Sequence, residues 1–511
     1  MALRIGSRIA VIGAGISGIA AANVLKKNGF EPVMFEKGGR VGGVWAVSYP
    51  GIHLQNTFAS YHLTDYPWPF KPDLHPSGTQ ILNYLEQAVK HLRLDVRLNH
   101  EVLALQQNTA GWTVKYKNTD GDHADNFAYV LISVGQYTEG KYRPQFPGHE
   151  QFAGTIITER EVHSLDIFDD KRVAVVGFGK SALDMSTFAA TRSSELHHIF
   201  RTPRWTIPEW ILGVHFTHIL FSRFGTVMMT SWAHPTAAER FLHGPLKAGI
   251  NQFWDLIASV FRWQIKKLGR KNDKAAQERL EAVIPKHKFV PDLRSAGALA
   301  PISYYPLVAD GKIQPHQAEV LGFSKNGIQL NNGCEIACDL VVLSLGSETP
   351  SFPFLPEQYR QLLESEPDGP QLYRHLIHSR IPGIGFAGFN HGFMHIASVE
   401  LGTLWLCAHL RNELKLPSPE EMERSIASIR AWKRANIQFE PSRGVAVSTR
   451  FQQYNDILMK DLGLSPYRKL PNVPAEIFGR YGSADYKGVV EEYNRKRTRR
   501  TEPLIPIEVD T

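Results

Sequence analysis

The run Gly13-Ala14-Gly15-Ile16-Ser17-Gly18 has the residue types and spacing that hold a pyrophosphate. The first glycine allows a tight turn, the second lets backbone approach phosphate oxygens, and the third lets a helix pack close to a strand. A helix starting there offers free N–H groups and the positive end of its dipole to the anion. Glu36, 23 positions after Gly13, is placed to accept a hydrogen bond from a ribose hydroxyl. The pattern returns at Gly177-Phe178-Gly179-Lys180-Ser181-Ala182, with alanine in the third place, an accepted variant. At the matching offset from Gly177 stands Phe200 rather than an acid, and Arg201 and Arg204 follow. Guanidinium groups there accommodate a 2′-phosphate that a carboxylate would repel. The chemistry expected is the binding of two dinucleotides, the second of them NADP(H).

The elements that must position these residues are legible around them. Ile9–Ile12 reads as a buried strand, Ile19–Lys27 as a helix and Pro32–Phe35 as a second strand ending at Glu36. Arg172–Val176 and a helix running to Ala190 repeat that order. A second glycine turn, Gly42-Gly43-Val44-Trp45, lets backbone approach another part of the first cofactor, with Trp45 as a cover. Pro76–Leu92 reads as an amphipathic helix, Asp95–Leu105 with Gly111–Lys117 as a strand pair, and Tyr129–Val134 as a buried strand. Strand signals return at Val320–Phe323, Gly327–Leu330 and Leu340–Leu345, the last read as the chain coming back to complete the first domain. A further strand within 383–390 and a helix over Ala397–Leu410 follow.

The fold class expected is α/β, with two Rossmann-like dinucleotide-binding domains, a helical insertion and a mostly helical C-terminal extension. The expected division is 1–160 and 321–420 for the first nucleotide domain, 161–320 for the second with its insertion at 205–300, and 421–511 for the extension. Within the insertion, Ile250, Phe253, Trp254, Ile257, Phe261, Ile265 and Leu268 mark one helical face, followed by Lys266, Lys267, Arg270, Lys271 and Lys274. Core packing is the expected role of that face, and contact of 205–270 with an anionic membrane surface is the alternative.

The 511-residue chain is 43% hydrophobic and 21% charged, the profile of an ordinary globular protein of two or three domains. A net charge of +7 suits an anionic cofactor or acidic lipid and does not point to nucleic acid. Three cysteines, Cys334, Cys338 and Cys407, are too few for a secreted disulfide framework, so a cytoplasmic setting is expected. The first residues lack the apolar core of a signal peptide, and no uninterrupted apolar run is long enough to span a bilayer. No metal is expected. His391 and His395 are four apart but lack the glutamate of the zinc-protease motif.

Taken together, these segments resemble the flavin-containing monooxygenases, most closely the plant-type group. The motifs carrying the resemblance are Gly13–Gly18, Glu36, Gly42–Trp45, Leu54-Gln55-Asn56, Asp65-Tyr-Pro-Trp-Pro69, Gly177–Asp184, Leu372–His378, Tyr454-Asn-Asp456 and Tyr481–Tyr486. One family motif departs, Phe-x-Gly-x-x-x-His-x-x-x-aromatic. Phe152-Ala-Gly154 begins it, but Thr158 and Val162 hold the histidine and aromatic places, and His163 to Phe168 resemble the missing half five residues late. The resemblance implies FAD in the first unit and NADPH in the second. Gly13, Ala14, Gly15, Ile16, Ser17, Gly18, Glu36, Gly43, Val44, Trp45, Gln55 and Asn56 would serve FAD, and Gly177, Gly179, Lys180, Ser181, Ala182, Asp184, Arg201 and Arg204 would serve NADPH.

It also implies a monooxygenase that uses O2 through a flavin 4a-hydroperoxide to oxygenate nitrogen or sulfur in a small organic substrate. Asn56 is the candidate catalytic residue, since an amide both donates and accepts hydrogen bonds. Loop capping is its alternative role. The rival activities are Baeyer–Villiger oxidation of a ketone and YUCCA-like oxidative decarboxylation of a 2-oxo acid. A pyridine-nucleotide disulfide reductase and a non-catalytic flavoprotein are more remote. Self-association is left open.

Overall fold

A computed structural model describes residues 2–136, 140–229, 235–269, 273–295, 298–437, 447, 449–498 and 505–507. Arg270, Lys271, Arg499 and Arg500, all read above as part of basic stretches, lie outside them.

Two parallel five-stranded sheets carry the two glycine-rich units. In the first, the spatial order is Ile384–Phe386, Tyr129–Ile132, Arg8–Ile12, Glu31–Glu36, Asp95–Leu98. In the second it is Gln314–Gln317, Glu195–Phe200, Arg172–Val176, Leu340–Leu343, Thr155–Thr158. Both orders reverse direction at the strand that leads into the glycines. Parallel sheets open a crevice at the carboxyl ends of the strands there, which is where ligands bind.

The central strands are apolar without alternation because both faces are covered. Ile9, Ala10 and Val11 are fully buried, as are Val173, Ala174 and Val175. The alanine-rich Ile16–Lys27 helix covers one face of the first sheet and packs on the His395–Leu410 helix, which is buried on almost every side. That all-round burial explains why the second helix reads as an apolar run rather than an amphipathic one.

Several expectations are corrected. The Leu340–Leu343 strand joins the second sheet, between Arg172–Val176 and Thr155–Thr158, not the first. The strand that closes the first sheet is Ile384–Phe386. Correspondingly, Thr155–Thr158 lies in the second sheet although the expected boundary at 160 put it with the first unit. The stretch read as one strand, Asp95–Leu105, is two. Asp95–Leu98 pairs in parallel with Glu31–Glu36, and Glu101–Asn108 starts an antiparallel sheet with Gly111–Asn118 and the unforeseen Gly121–Phe127.

Thr158 ends a regular strand in register with Leu343, so the motif's histidine position is occupied by threonine. Its hydroxyl and N–H both donate to Glu161, closing a turn, while His163 lies exposed beyond.

The expected apolar face of the insertion lies on the Lys247–Lys266 helix. Ile250, Trp254, Phe261 and Ile265 are buried, Phe253 and Ile257 are partly so, and Leu268 is 48% exposed past the helix end. The packing there leaves a cavity of only about 10 Å³, lined by Ile207, Phe253, Trp254 and Phe289 among others. That is room for one water at most, so this stripe is core and not a substrate pocket. Among the described residues, no helix is long and apolar enough to cross a membrane.

Candidate active site

The first glycine turn is fixed by close packing. Gly13 has φ of +107°, and a Cβ there would sit 2.4 Å from the Ser133 carbonyl oxygen. A Cβ on Gly18 would sit 2.1 Å from the Gly13 carbonyl oxygen. Both glycines are therefore required by the fold itself. Gly15 differs: a Cβ there meets only the Gly43 Cα at 3.4 Å and the Gly43 nitrogen at 3.8 Å. Its smallness keeps a passage between two glycine turns, which is what an approaching pyrophosphate needs.

Glu36 holds this turn. Its carboxylate accepts the Ala14 N–H at 2.9 Å and the Gly38 N–H at 2.8 Å. Each oxygen retains lone-pair capacity for a ribose hydroxyl. Ile16 and Ser17 start the helix, and the Ser17 hydroxyl meets His395 Nε2 at 2.8 Å. Burial pushes the His395 imidazole well below its ordinary pKa, so it is neutral.

Polar atoms of three side chains past the strands of this sheet are buried and have no hydrogen-bond partner among the described residues. They are Ser133 Oγ, both ends of the Gln136 amide, and Asn390 Oδ1. Ser133 and Gln136 follow the Tyr129–Ile132 strand, and Asn390 follows Ile384–Phe386. Buried polar atoms are nearly always paired, by protein, water or ligand. These three side chains follow the carboxyl ends of strands of the first sheet, where the crevice opens, which fits a bound FAD. Sequence reading missed Gln136, Asn390 and the role of His395. The signal was present in the amides that follow the strand-ending glycines Gly135 and Gly388.

The second unit repeats the geometry. Gly177 has φ of +128°, and a Cβ there would lie 2.3 Å from the Ser344 carbonyl oxygen. Gly179 faces open space, with nothing within 4 Å of a Cβ. Lys180 and Ser181 form the first turn of the following helix, and Ala182 is fully buried beside Gly177. The His198 imidazole lies 2.6 Å from the Gly177 carbonyl oxygen and 2.8 Å from the Tyr304 hydroxyl. The carbonyl can only accept, so Nε2 carries the hydrogen. Burial lowers the His198 pKa to about 4 and keeps it in that neutral form.

Asp184 is committed to protein partners. It pairs with Lys180 one helical turn away and accepts the Tyr49 hydroxyl at 2.8 Å, tying the second unit to the first. Burial, then Asp184, raises the Tyr49 pKa, so the hydroxyl stays protonated and donates. Arg201 stands exposed just past the Glu195–Phe200 strand, and no described residue accepts from its guanidinium. Arg204 is held by Asp292, which is fully buried and also accepts from the Trp205 N–H and His287. The two arginines thus have different surroundings.

A loop connects the units. Trp45 donates through Nε1 to the Tyr61 hydroxyl at 2.8 Å, and Val44 lies in the same short turn begun by Gly43. Gln55 Oε1, in the side chain, accepts the Leu299 N–H at 3.0 Å, reaching the insertion. Asn56 Nδ2 donates to the Phe393 carbonyl at 2.7 Å, reaching the returning segment. Half of the Asn56 amide is therefore structural, and Oδ1 remains for a ligand. His75 Nδ1 contacts the carbonyls of Leu54 and Asn56 at 3.2 and 3.0 Å, which fixes this loop from below. The histidines weighed for a metal, His391 and His395, have ring centroids 4.9 Å apart, and His395 gives its Nε2 to Ser17. A different trio does come together: His75, Glu209 and His215.

Comparison with known proteins agrees with this geometry. Residues 6–243 match the flavin-binding monooxygenase-like family. The chain is 29% identical over 542 aligned positions to the probable flavin-containing monooxygenase 1 of Arabidopsis thaliana, covering 95% of this chain and 97% of that one. Among solved structures it is similar to the S-allyl-L-cysteine S-oxygenase of Allium sativum, with a TM-score of 0.62, 17% identity, and 98% and 94% of the two chains covered. It is similar also to an open form of cyclohexanone monooxygenase, with a TM-score of 0.66, 19% identity, and 89% and 98% covered. The paired glycine turns, the acid at the first and the arginine at the second, and the similarities along nearly the whole chain all agree: over residues 6–243 the chain matches the flavin-binding monooxygenase-like family, and over 95% of its length it is similar to a plant flavin-containing monooxygenase.

Proposed function

We propose that the chain binds FAD at Gly13–Gly18 and NADPH at Gly177–Ala182 and uses them to place one oxygen atom of O2 on nitrogen or sulfur of a small organic substrate. The observation that carries this reading is the pair of glycine turns with opposite ribose-site chemistry. Glu36 at the first accepts from ribose hydroxyls, and Arg201 past the second sheet favours an added phosphate. When bound, FAD supplies the chemistry, taking a hydride equivalent from NADPH and activating O2.

The chain's own residues bind, orient and exclude water. The Gly15–Gly43 passage admits the pyrophosphate, and the helix start at Ile16 faces it with unpaired N–H groups. Gln136 and Asn390 supply amides at the carboxyl ends of the first sheet. Asn56 Oδ1 is positioned by the Phe393 anchor to accept a hydrogen bond beside the reacting centre. No proton-transfer triad is required of the protein. The disulfide-reductase alternative has no dithiol to work with. Cys334 is exposed on the 320–337 hairpins, and burial raises the Cys338 thiol to about 12, the opposite of a reactive thiolate.

Ketone oxidation is kept as the second reading because Phe200-Arg-Thr-Pro-Arg204-Trp is similar to ketone-oxidising relatives. The test is NADPH consumption by FAD-loaded protein with amines, sulfides, ketones and 2-oxo acids, with product masses determined. An N-oxide or sulfoxide product supports the first reading. An ester or lactone supports the second. NADPH-dependent disulfide reduction without O2 uptake would refute both.

A further inference from the structure

Beside the loop that carries Asn56, two imidazole nitrogens and a carboxylate oxygen converge with no hydrogen bond between them. His75 Nε2 lies 3.7 Å from Glu209 Oε1, and His215 Nε2 lies 4.0 Å from the same oxygen. All three ligand atoms fall within 4.8 Å of one another. A separation of 3.7 Å is too long for a hydrogen bond. Both Nε2 atoms are buried without a hydrogen-bond partner, and His215 is only 6% exposed.

The other ring nitrogens explain the arrangement. His75 Nδ1 contacts two backbone carbonyls, Leu54 at 3.2 Å and Asn56 at 3.0 Å. Carbonyls only accept, so Nδ1 carries the hydrogen and Nε2 presents a bare lone pair in the neutral ring. His215 Nδ1 contacts the Thr217 hydroxyl at 2.8 Å and accepts the Thr217 N–H at 3.4 Å, so in the metal-free ring Nε2 carries the hydrogen and faces Glu209; an ion on Nε2 would shift that hydrogen to Nδ1, where the Thr217 hydroxyl accepts it. A histidine whose far nitrogen is fixed by a backbone carbonyl or hydroxyl is the arrangement that orients metal-ligating imidazoles.

We propose that His75, Glu209 and His215 form a binding site for one divalent transition ion, zinc in the first instance. Two imidazoles and a carboxylate are a borderline donor set that suits zinc and leaves a fourth position for water. Bonds of about 2.1 Å in a tetrahedron set ligand atoms about 3.4 Å apart. The two histidine–glutamate gaps therefore close by about 0.3 and 0.6 Å, and the histidine–histidine gap by at most about 1.4 Å. The ion would join the hairpin Trp210–His215 of the insertion to the segment ahead of the Gly78–Leu92 helix. Through His75 it would stiffen the carbonyls of Leu54 and Asn56.

The test uses tag-free, FAD-loaded protein stripped with chelator and titrated with Co2+, followed by Zn2+. The expected result is one equivalent of Co2+ with visible d–d absorption of tetrahedral strength, displaced by Zn2+. Glu209→Gln and His215→Phe should each weaken binding at least about tenfold. His316→Ala, at the separate His197–His316 contact, should leave it unchanged. Glu209→Gln keeps the side-chain volume, and its flavin content reports whether it folds. If His215→Phe fails to fold, the Glu209→Gln titration decides. Less than half an equivalent bound by the wild type overturns the proposal. So does binding that survives Glu209→Gln, or binding lost in His316→Ala.

Discussion

Replacing Arg201 and Arg204 one at a time separates cofactor choice from fold stability. The sequence offers both as partners of a 2′-phosphate, but the structure distinguishes them. Arg201 is exposed and has no accepting partner among the described residues. A charge-assisted hydrogen bond from it contributes about 1.5–3 kcal/mol, with the lower figure appropriate to an exposed, screened group. Since about 1.4 kcal/mol is a factor of ten, Arg201→Ala should raise the Michaelis constant for NADPH roughly 10- to 100-fold. The value for NADH should change less than about twofold, because NADH has no phosphate at that place. Arg204 sits 3.2 Å from Asp292, a fully buried carboxylate.

Removing one partner of a buried ion pair costs about 3–5 kcal/mol. Here the Trp205 N–H and His287 still hold Asp292, so about 1–3 kcal/mol is expected for Arg204→Ala. That loss should lower the melting temperature and affect both cofactors alike. The assays are steady-state kinetics with each cofactor, binding of 2′,5′-ADP, and thermal unfolding. If Arg204→Ala alone abolished the preference for NADPH while Arg201→Ala left it intact, the assignment of the phosphate contact would be refuted.

Gly15→Val should fold yet lose most of its flavin, because the added side chain enters the passage to Gly43; a folded, fully yellow variant contradicts that role. Asn56→Ala should keep NADPH binding near normal while product formed per NADPH falls and hydrogen peroxide rises, a loss of about 1–3 kcal/mol in oxygen use. Unchanged coupling with slowed flavin reduction would place Asn56 elsewhere. Glu400 is buried, and burial raises its carboxyl to about 8, so it is protonated in the folded protein at neutral pH. A carboxyl raised in the folded state contributes stability that is present below its unfolded pKa and lost as pH rises through about 8. Glu400→Gln should remove up to about 4 kcal/mol of that alkaline loss, seen as a stability difference growing from pH 5 to pH 9 in urea unfolding. Equal pH slopes for the two proteins would show that Glu400 is not the titrating group.

What the sequence determined by itself was local. The glycine spacing at Gly13–Gly18 and Gly177–Ala182 is readable because the constraint acts within a few residues. A positive φ, a carbonyl 2.1–2.4 Å from any Cβ and a helix start all fall inside one turn and its neighbouring strand. Glu36 and Arg201 were singled out the same way, by their distance along the chain from those turns. The apolar runs were equally visible as strands, but an apolar run carries no address. Leu340–Leu343 looked ready for the first sheet and joined the second, because a strand buried on both faces pairs by whatever edge the crossover connections bring to it. Only the tertiary structure decided which polar groups meet across long separations. It set Ser17 against His395, Asn56 against the carbonyl of Phe393, and Arg204 against Asp292. It also gathered His75, Glu209 and His215 from a loop, a strand approach and a hairpin. No periodicity or motif links such residues. Their chemistry depends on distance and on burial that strips away water, and both exist only once the chain has folded.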